Sequence, residues 1–144
     1  MLPFEPKVFR VVGLQFARGL ELGPRLTVAS KIALRRNPQN PYDSNAIEVY
    51  TVGPLDNGDT IAPAMLGHMP RGMAAEVAPC MDERGLYLIP AAVMMDGEPM
   101  IQLEALPSWI VTCPDGTQRA FDTESDAVLS LRDDDTLLDP NQST

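Results

Sequence analysis

The sequence predicts a mainly β fold: a small barrel with one or two helices, then a short C-terminal hairpin and an acidic tail. Three observations predict it. Apolar and β-branched residues come in short runs bounded by polar turn segments. Fourteen prolines and ten glycines among 144 residues disfavour long helices. One stretch, after Pro70, carries clear helical spacing. The hydrophobic fraction of 44% is ordinary for a globular chain. A domain of this length buries about 68–70% of its unfolded surface, so a core forms without staples.

The elements follow in order. Val8 to Phe16 reads as a first strand, with Gly13 marking a bulge or a close backbone approach. Leu26 to Leu34 reads as a second, with Leu26, Val28, Ile32 and Leu34 at even positions. Arg36 to Asp43 is a long polar turn with two prolines. Ala46 to Val52 alternates as a third strand, and Thr60 to Met69 is a fourth, interrupted by Pro63. The predicted helix runs from Pro70 to about Asp82, with Met73, Val77, Cys80, Met81 and Arg84 at helical spacing. Pro79 should kink it or end it early, and Gly85 stops it. Leu86 to Met95 and Met100 to Leu106 form a hairpin around Asp96-Gly97-Glu98-Pro99. Trp109 to Cys113 and Thr117 to Phe121 flank the turn Pro114-Asp115-Gly116. Thr123 or Ser125 would cap a short helix reaching Leu131. From Asp133 the chain should fray as an acidic tail. The expected organisation is a lead-in at 1–7, a barrel at 8–106, a hairpin and helix extension at 107–132, and a flexible tail at 133–144.

Charge and motif content exclude several functions. Residues 1–71 carry a net +2 and residues 72–144 a net −11. Such asymmetry points to one face with its own partner, and a binder that relies on many phosphate contacts would need far more Lys and Arg. Cys80, Cys113 and His68 are too few and too scattered for a structural zinc site, so no metal or cofactor is expected. No Ser-His-Asp set and no phosphate loop occurs, so no catalytic residue is assigned and no enzyme is expected. Met1 to Pro6 lacks the basic start and apolar stretch of a signal peptide. No apolar run approaches the ~20 residues of a membrane span. The expected location is the cytoplasm, with both thiols reduced.

The most informative segment is Asn40-Pro41-Tyr42-Asp43-Ser44-Asn45-Ala46-Ile47. Pro41 pushes Asn40 toward an extended shape, and Asp43 and Asn45 can hold a turn with their own side chains. Local chemistry alone also fits a structural turn with an incidental tyrosine. Taken with Val11-Val12-Gly13-Leu14 and Leu66-Gly67-His68-Met69-Pro70-Arg71, the segment resembles the HIRAN domain over residues 8–106. The resemblance implies an OB-like β-barrel with a helix or two, occurring alone or fused to DNA-remodelling helicases. It further implies a grip on the 3′ end of single-stranded DNA.

Position by position, the resemblance assigns Tyr42 to stacking on the terminal base and Asp43 to accepting from the 3′-hydroxyl. It places Arg71 where the family has a phosphate-contacting lysine, with His68 beside it and Asn40 in the same block. Gln15 and Phe16 fall where the family has an Arg and a Tyr. Phe16 can still stack, since stacking needs only a π face. Gln15 loses a charge, and Ala17 replaces a further aromatic. His68 reads as a structural histidine before it reads as a ligand contact, and Arg71 reads equally as a surface charge at a helix start. The expected partner is a single nucleic-acid strand, DNA before RNA, in repair, replication or mobile-element biology. The competing reading is an acidic protein-interaction module with a degraded pocket.

Overall fold

The computed structural model describes residues 5–95 and 98–140. The turn expected at Asp96-Gly97, the first four residues and the last four lie outside the described residues. Six strands make the main sheet: β1 (Lys7–Phe9), β2 (Lys31–Arg36), β3 (Ile47–Gly53), β4 (Ala64–His68), β5 (Leu86–Met95) and β6 (Glu98–Pro107). Their order is β1-β6-β5-β2-β3-β4, with antiparallel neighbours throughout.

The sheet curls into a half-barrel, and the chain just beyond one edge strand touches the other edge through a single bridge. Phe9 on β1 pairs with Ile101 on β6. Three residues later Val12 bridges His68 on β4, the opposite edge, through N–H···O bonds of 2.9 and 2.8 Å. Gly67 makes this approach possible, because a Cβ there would collide with the Val12 carbonyl. The bridge pairs backbone groups of Val12 and His68 that an open edge would leave exposed.

The first strand is therefore shorter than the expected Val8–Phe16. Gly13 takes φ 70°, and the chain turns out of the sheet into a 3-10 turn at Leu14–Phe16. A short helix, α1 (Gly19–Leu22), follows. The second strand starts at Lys31 rather than Leu26. Residues 27–30 form a turn closed by the Ser30 hydroxyl, which accepts from Thr27 N–H and donates to the Pro54 carbonyl. The fourth strand starts at Ala64, since Pro63 has no N–H to offer the ladder.

Helix α2 (Arg71–Glu83) begins one residue after Pro70, its N-cap, and runs through Pro79. The missing Pro79 N–H leaves the Ala75 carbonyl without its intrahelical partner. Both residues are exposed, so water can take that place. The helix buries Ala74, Val77, Ala78 and Met81 in the core cluster that also holds Ile47, Val49, Leu66, Leu88, Ile101 and Leu103 of the barrel. Each large side chain so buried is worth about 1.5–3 kcal/mol of transfer free energy.

The extension folds as a second, three-stranded sheet: β7 (Trp109–Thr112), β8 (Gln118–Phe121) and β9 (Thr136–Leu138), in the order β8-β7-β9. Helix α3 (Glu124–Ser130) is capped by Thr123, whose hydroxyl accepts from Asp126 N–H. The expectation of a tail frayed from Asp133 fails over its described part. Asp133 and Asp134 face solvent, but the Asp135 side chain is 3% exposed and accepts from the Arg119 guanidinium and Arg132 N–H, both at 3.0 Å. That pair turns the chain inward, and β9 then pairs along β7.

The extension packs on the barrel beside β2. Arg35 Nε donates to the Asp115 carbonyl at 3.0 Å, and Gln118 Nε2 donates to the Met81 carbonyl at 2.6 Å. Gly116, at φ 90°, sits so close that a Cβ would collide with the Arg36 carbonyl. Among the described residues no helix is long and apolar enough to cross a membrane.

Candidate nucleic-acid interface

The segment joining β2 to β3 is fixed by its own polar side chains. Asn40 Oδ1 accepts from Tyr42 N–H at 2.9 Å and from Asp43 N–H at 3.1 Å. Asp43 Oδ1 accepts from Asn45 N–H at 2.9 Å, and Ala46 N–H donates to the Asp43 carbonyl at 3.1 Å. These Asx turns explain the Asn, Asp and Pro content of the segment. The Tyr42 ring stands 87% exposed on this side-chain-braced turn. A large aromatic held out in water is a ready stacking surface.

Tyr42 and Asp43 border a cavity of about 230 Å³ lined also by Val12, Asn40, Ala46, His68, Met69 and Arg71. Three structural features converge there. The bridge brings Val12 to His68, the turn from β4 into α2 brings Met69 and Arg71, and the β2–β3 segment brings Asn40, Tyr42, Asp43 and Ala46. Asp43 Oδ2 lies 4.0 Å from Arg71 Nε. The Asp43 side chain is 20% exposed and the Arg71 side chain 80%. The cavity thus combines an exposed ring, a recessed carboxylate and an outward guanidinium. Next to it, Glu48 pairs in register with His68 and accepts from Asn37 and from the Tyr50 hydroxyl. Burial, reinforced by that bond to Glu48, holds the Tyr50 hydroxyl above the usual tyrosine range.

Of the residues singled out in the sequence, Asn40, Tyr42, Asp43, His68 and Arg71 come together. Gln15 and Phe16 do not line this cavity. After Gly13 the chain leaves the sheet, Leu14 enters a separate apolar groove with Val11, Leu26, Leu66 and Ile101, and Gln15 and Phe16 project into solvent. Phe16 is 83% exposed. Among the described residues no three His, Cys, Asp or Glu side chains gather as a metal site. Both cysteines are free thiols, partly buried.

Sequence reasoning missed Arg36. Its side chain is buried beneath the site segment and donates to the carbonyls of Ser44 and Ala46. A signal existed. Strand parity puts Arg36 on the same face as Ile32 and Leu34, opposite Thr51, Val49 and Ile47, and that face is the buried one.

Comparison with known proteins fits this geometry. The HIRAN domain family model matches residues 7–106. The chain belongs to the HIRAN family. Over 75 residues it is 39% identical to the mouse (Mus musculus) helicase-like transcription factor, a match that covers 52% of this chain and 6% of that protein. The crystal structure of the HIRAN domain of human HLTF superposes with a TM-score of 0.51 at 26% identity, covering 72% of this chain and 78% of that one. The HIRAN domain is a DNA-binding module on an OB-like barrel, a family of binders rather than catalysts. The β7–β9 extension lies beyond the matched residues.

Proposed function

We propose that this HIRAN domain holds the free 3′-hydroxyl end of a single DNA strand, in DNA repair, replication or mobile-element biology. The observation that carries the reading is the juxtaposition of Tyr42, Asp43 and Arg71 around one small cavity. Tyr42 stacks on the terminal base. Asp43 accepts from the 3′-hydroxyl, and a carboxylate there repels the phosphate that an internal position would present. Arg71 contacts the neighbouring phosphate through a charge-assisted bond. Asn40 sets both Tyr42 and Asp43 through its turn. His68 adds part of the cavity wall. Phe16, outside the cavity, offers a second stacking surface further along the strand.

Length-matched linear and circular single strands test the reading by competition at low salt. The proposal predicts that the linear strand displaces the probe at a much lower concentration than the circle. Equal competition would contradict end recognition.

A second reading is contact with a basic protein through the acidic C-terminal half. The exposed Leu129 and Val128 on α3, beside Glu124 and Asp126, favour it. The test is the same titration: a chain that binds no strand at low salt leaves this reading in place of the first.

A further inference from the structure

Tyr42 and Asp43 can read a strand end only if their backbone is held in place. The carbonyls of Ser44 and Ala46, in the same segment just after them, are held by the guanidinium of Arg36, a residue 5% exposed. Its Nη1 donates to the Ala46 carbonyl at 2.8 Å and its Nη2 to the Ser44 carbonyl at 3.0 Å. Nε and Nη2 also donate to the two carboxylate oxygens of Asp82, each at 3.0 Å. One side chain therefore ties the segment that carries Tyr42 and Asp43 to the last turn of α2, the helix whose first residue is Arg71.

The extension brackets this pair on both sides. Gly116 abuts the Arg36 carbonyl, and Gln118 donates to the carbonyl of Met81, the residue before Asp82. The arrangement needs a planar fork: two bonds go to one carboxylate while the remaining N–H groups reach two backbone carbonyls. Lysine carries the charge without the fork.

We propose that Arg36, oriented by Asp82, is a positioning residue for strand-end recognition. It sets the Asp43 carboxylate relative to Arg71 without touching the strand. This inference rests on the strand-end reading above. Burial argues for a structural role, but stability alone would be served by apolar packing at least as well as by a buried ion pair. What the fork supplies is a fixed geometry for the Ser44 and Ala46 carbonyls, and hence for Asp43 between β2 and β3.

The test compares wild type, Arg36→Lys and Asp82→Asn well below their melting transitions, with folding verified by circular dichroism. Asp82→Asn is the second, milder variant: it removes the charge but keeps an amide oxygen that can accept from Arg36, on a side chain 44% exposed. Affinities are measured for strands ending in a 3′-hydroxyl and in a 3′-phosphate, together with the amide shifts of Tyr42 and Asp43. The expected result is a folded variant whose hydroxyl preference falls by about tenfold, the scale of one charge-assisted hydrogen bond, with both amides displaced. Folded variants as selective as a selective wild type overturn the inference alone. A wild type that binds both ends alike overturns the strand-end reading and this inference together.

Discussion

Asp43 and Arg71 face each other across the mouth of the cavity at 4.0 Å, the carboxylate recessed and the guanidinium in solvent. At that separation and exposure the pair contributes little to stability, since exposed ion pairs are worth ~0–1 kcal/mol. Both groups retain hydrogen-bonding capacity for a ligand, and a strand end placed between them would meet an acceptor on one side and a cation on the other.

Tyr42 should matter for binding and not for folding. Its ring makes no packed contact worth conserving at 87% exposure. Tyr42→Ala is expected to weaken binding of a linear strand by ~1–3 kcal/mol, the value of one stacked base. Anisotropy gives the affinity and a thermal melt gives the stability. A large fall in melting temperature would contradict the assignment.

Salt dependence should be shallow. With Arg71 as the main cation at the cavity, one or two phosphates are neutralised, for a log–log slope of about −0.7 to −1.4 on single strands. Arg71→Ala should reduce the slope by about 0.7. A steep slope, unchanged in the variant, would place the phosphate contacts elsewhere.

Gly116 is held at φ 90° against the Arg36 carbonyl. Gly116→Ala adds a side chain where the backbone is strained for it and where no space exists. We expect a loss of about 1–3 kcal/mol, read from urea unfolding. An unchanged midpoint would mean that the extension does not press on β2.

Truncation after Arg132 should destabilise the chain. It removes β9 and leaves the Arg119 guanidinium without Asp135. A fall in melting temperature of roughly 5 °C or more is expected. An unchanged melting temperature would restore the picture of a dispensable tail.

That tail shows where the sequence was hard to read. Three consecutive aspartates look uniformly solvated, and nothing local marks Asp135 as the one that Arg119, sixteen residues earlier, draws inward. Strand β3 was legible because Ile47, Val49 and Thr51 alternate on a buried face. Leu26 and Val28 mimicked the same alternation, but the Thr27–Ser30 turn overrides it. Pro79 is expected to kink α2 or end it early, yet the helix runs on to Glu83 and the lost bond falls on its exposed side. The cavity residues of the β2–β3 segment and of Leu66–Arg71 were legible as two sequence blocks. Their meeting point is set by the β3–β4 ladder, where Glu48 pairs with His68 and Met69 N–H donates to the Ile47 carbonyl, and Val12 joins them through its bridge to His68, a contact across 56 residues that no local pattern announces. The resemblance places Phe16 where the family has a Tyr, at the end of a first strand expected to reach it, and the turn at Gly13 ends that strand earlier.

The most direct test of the central claim is the affinity ratio between a strand ending in a 3′-hydroxyl and the same strand ending in a 3′-phosphate, measured by fluorescence anisotropy for wild type and Asp43→Ala. The account predicts a clear hydroxyl preference in wild type and its loss in Asp43→Ala, with weak general binding retained. A wild type that binds the two strands equally, or a variant that keeps the full preference, would contradict it.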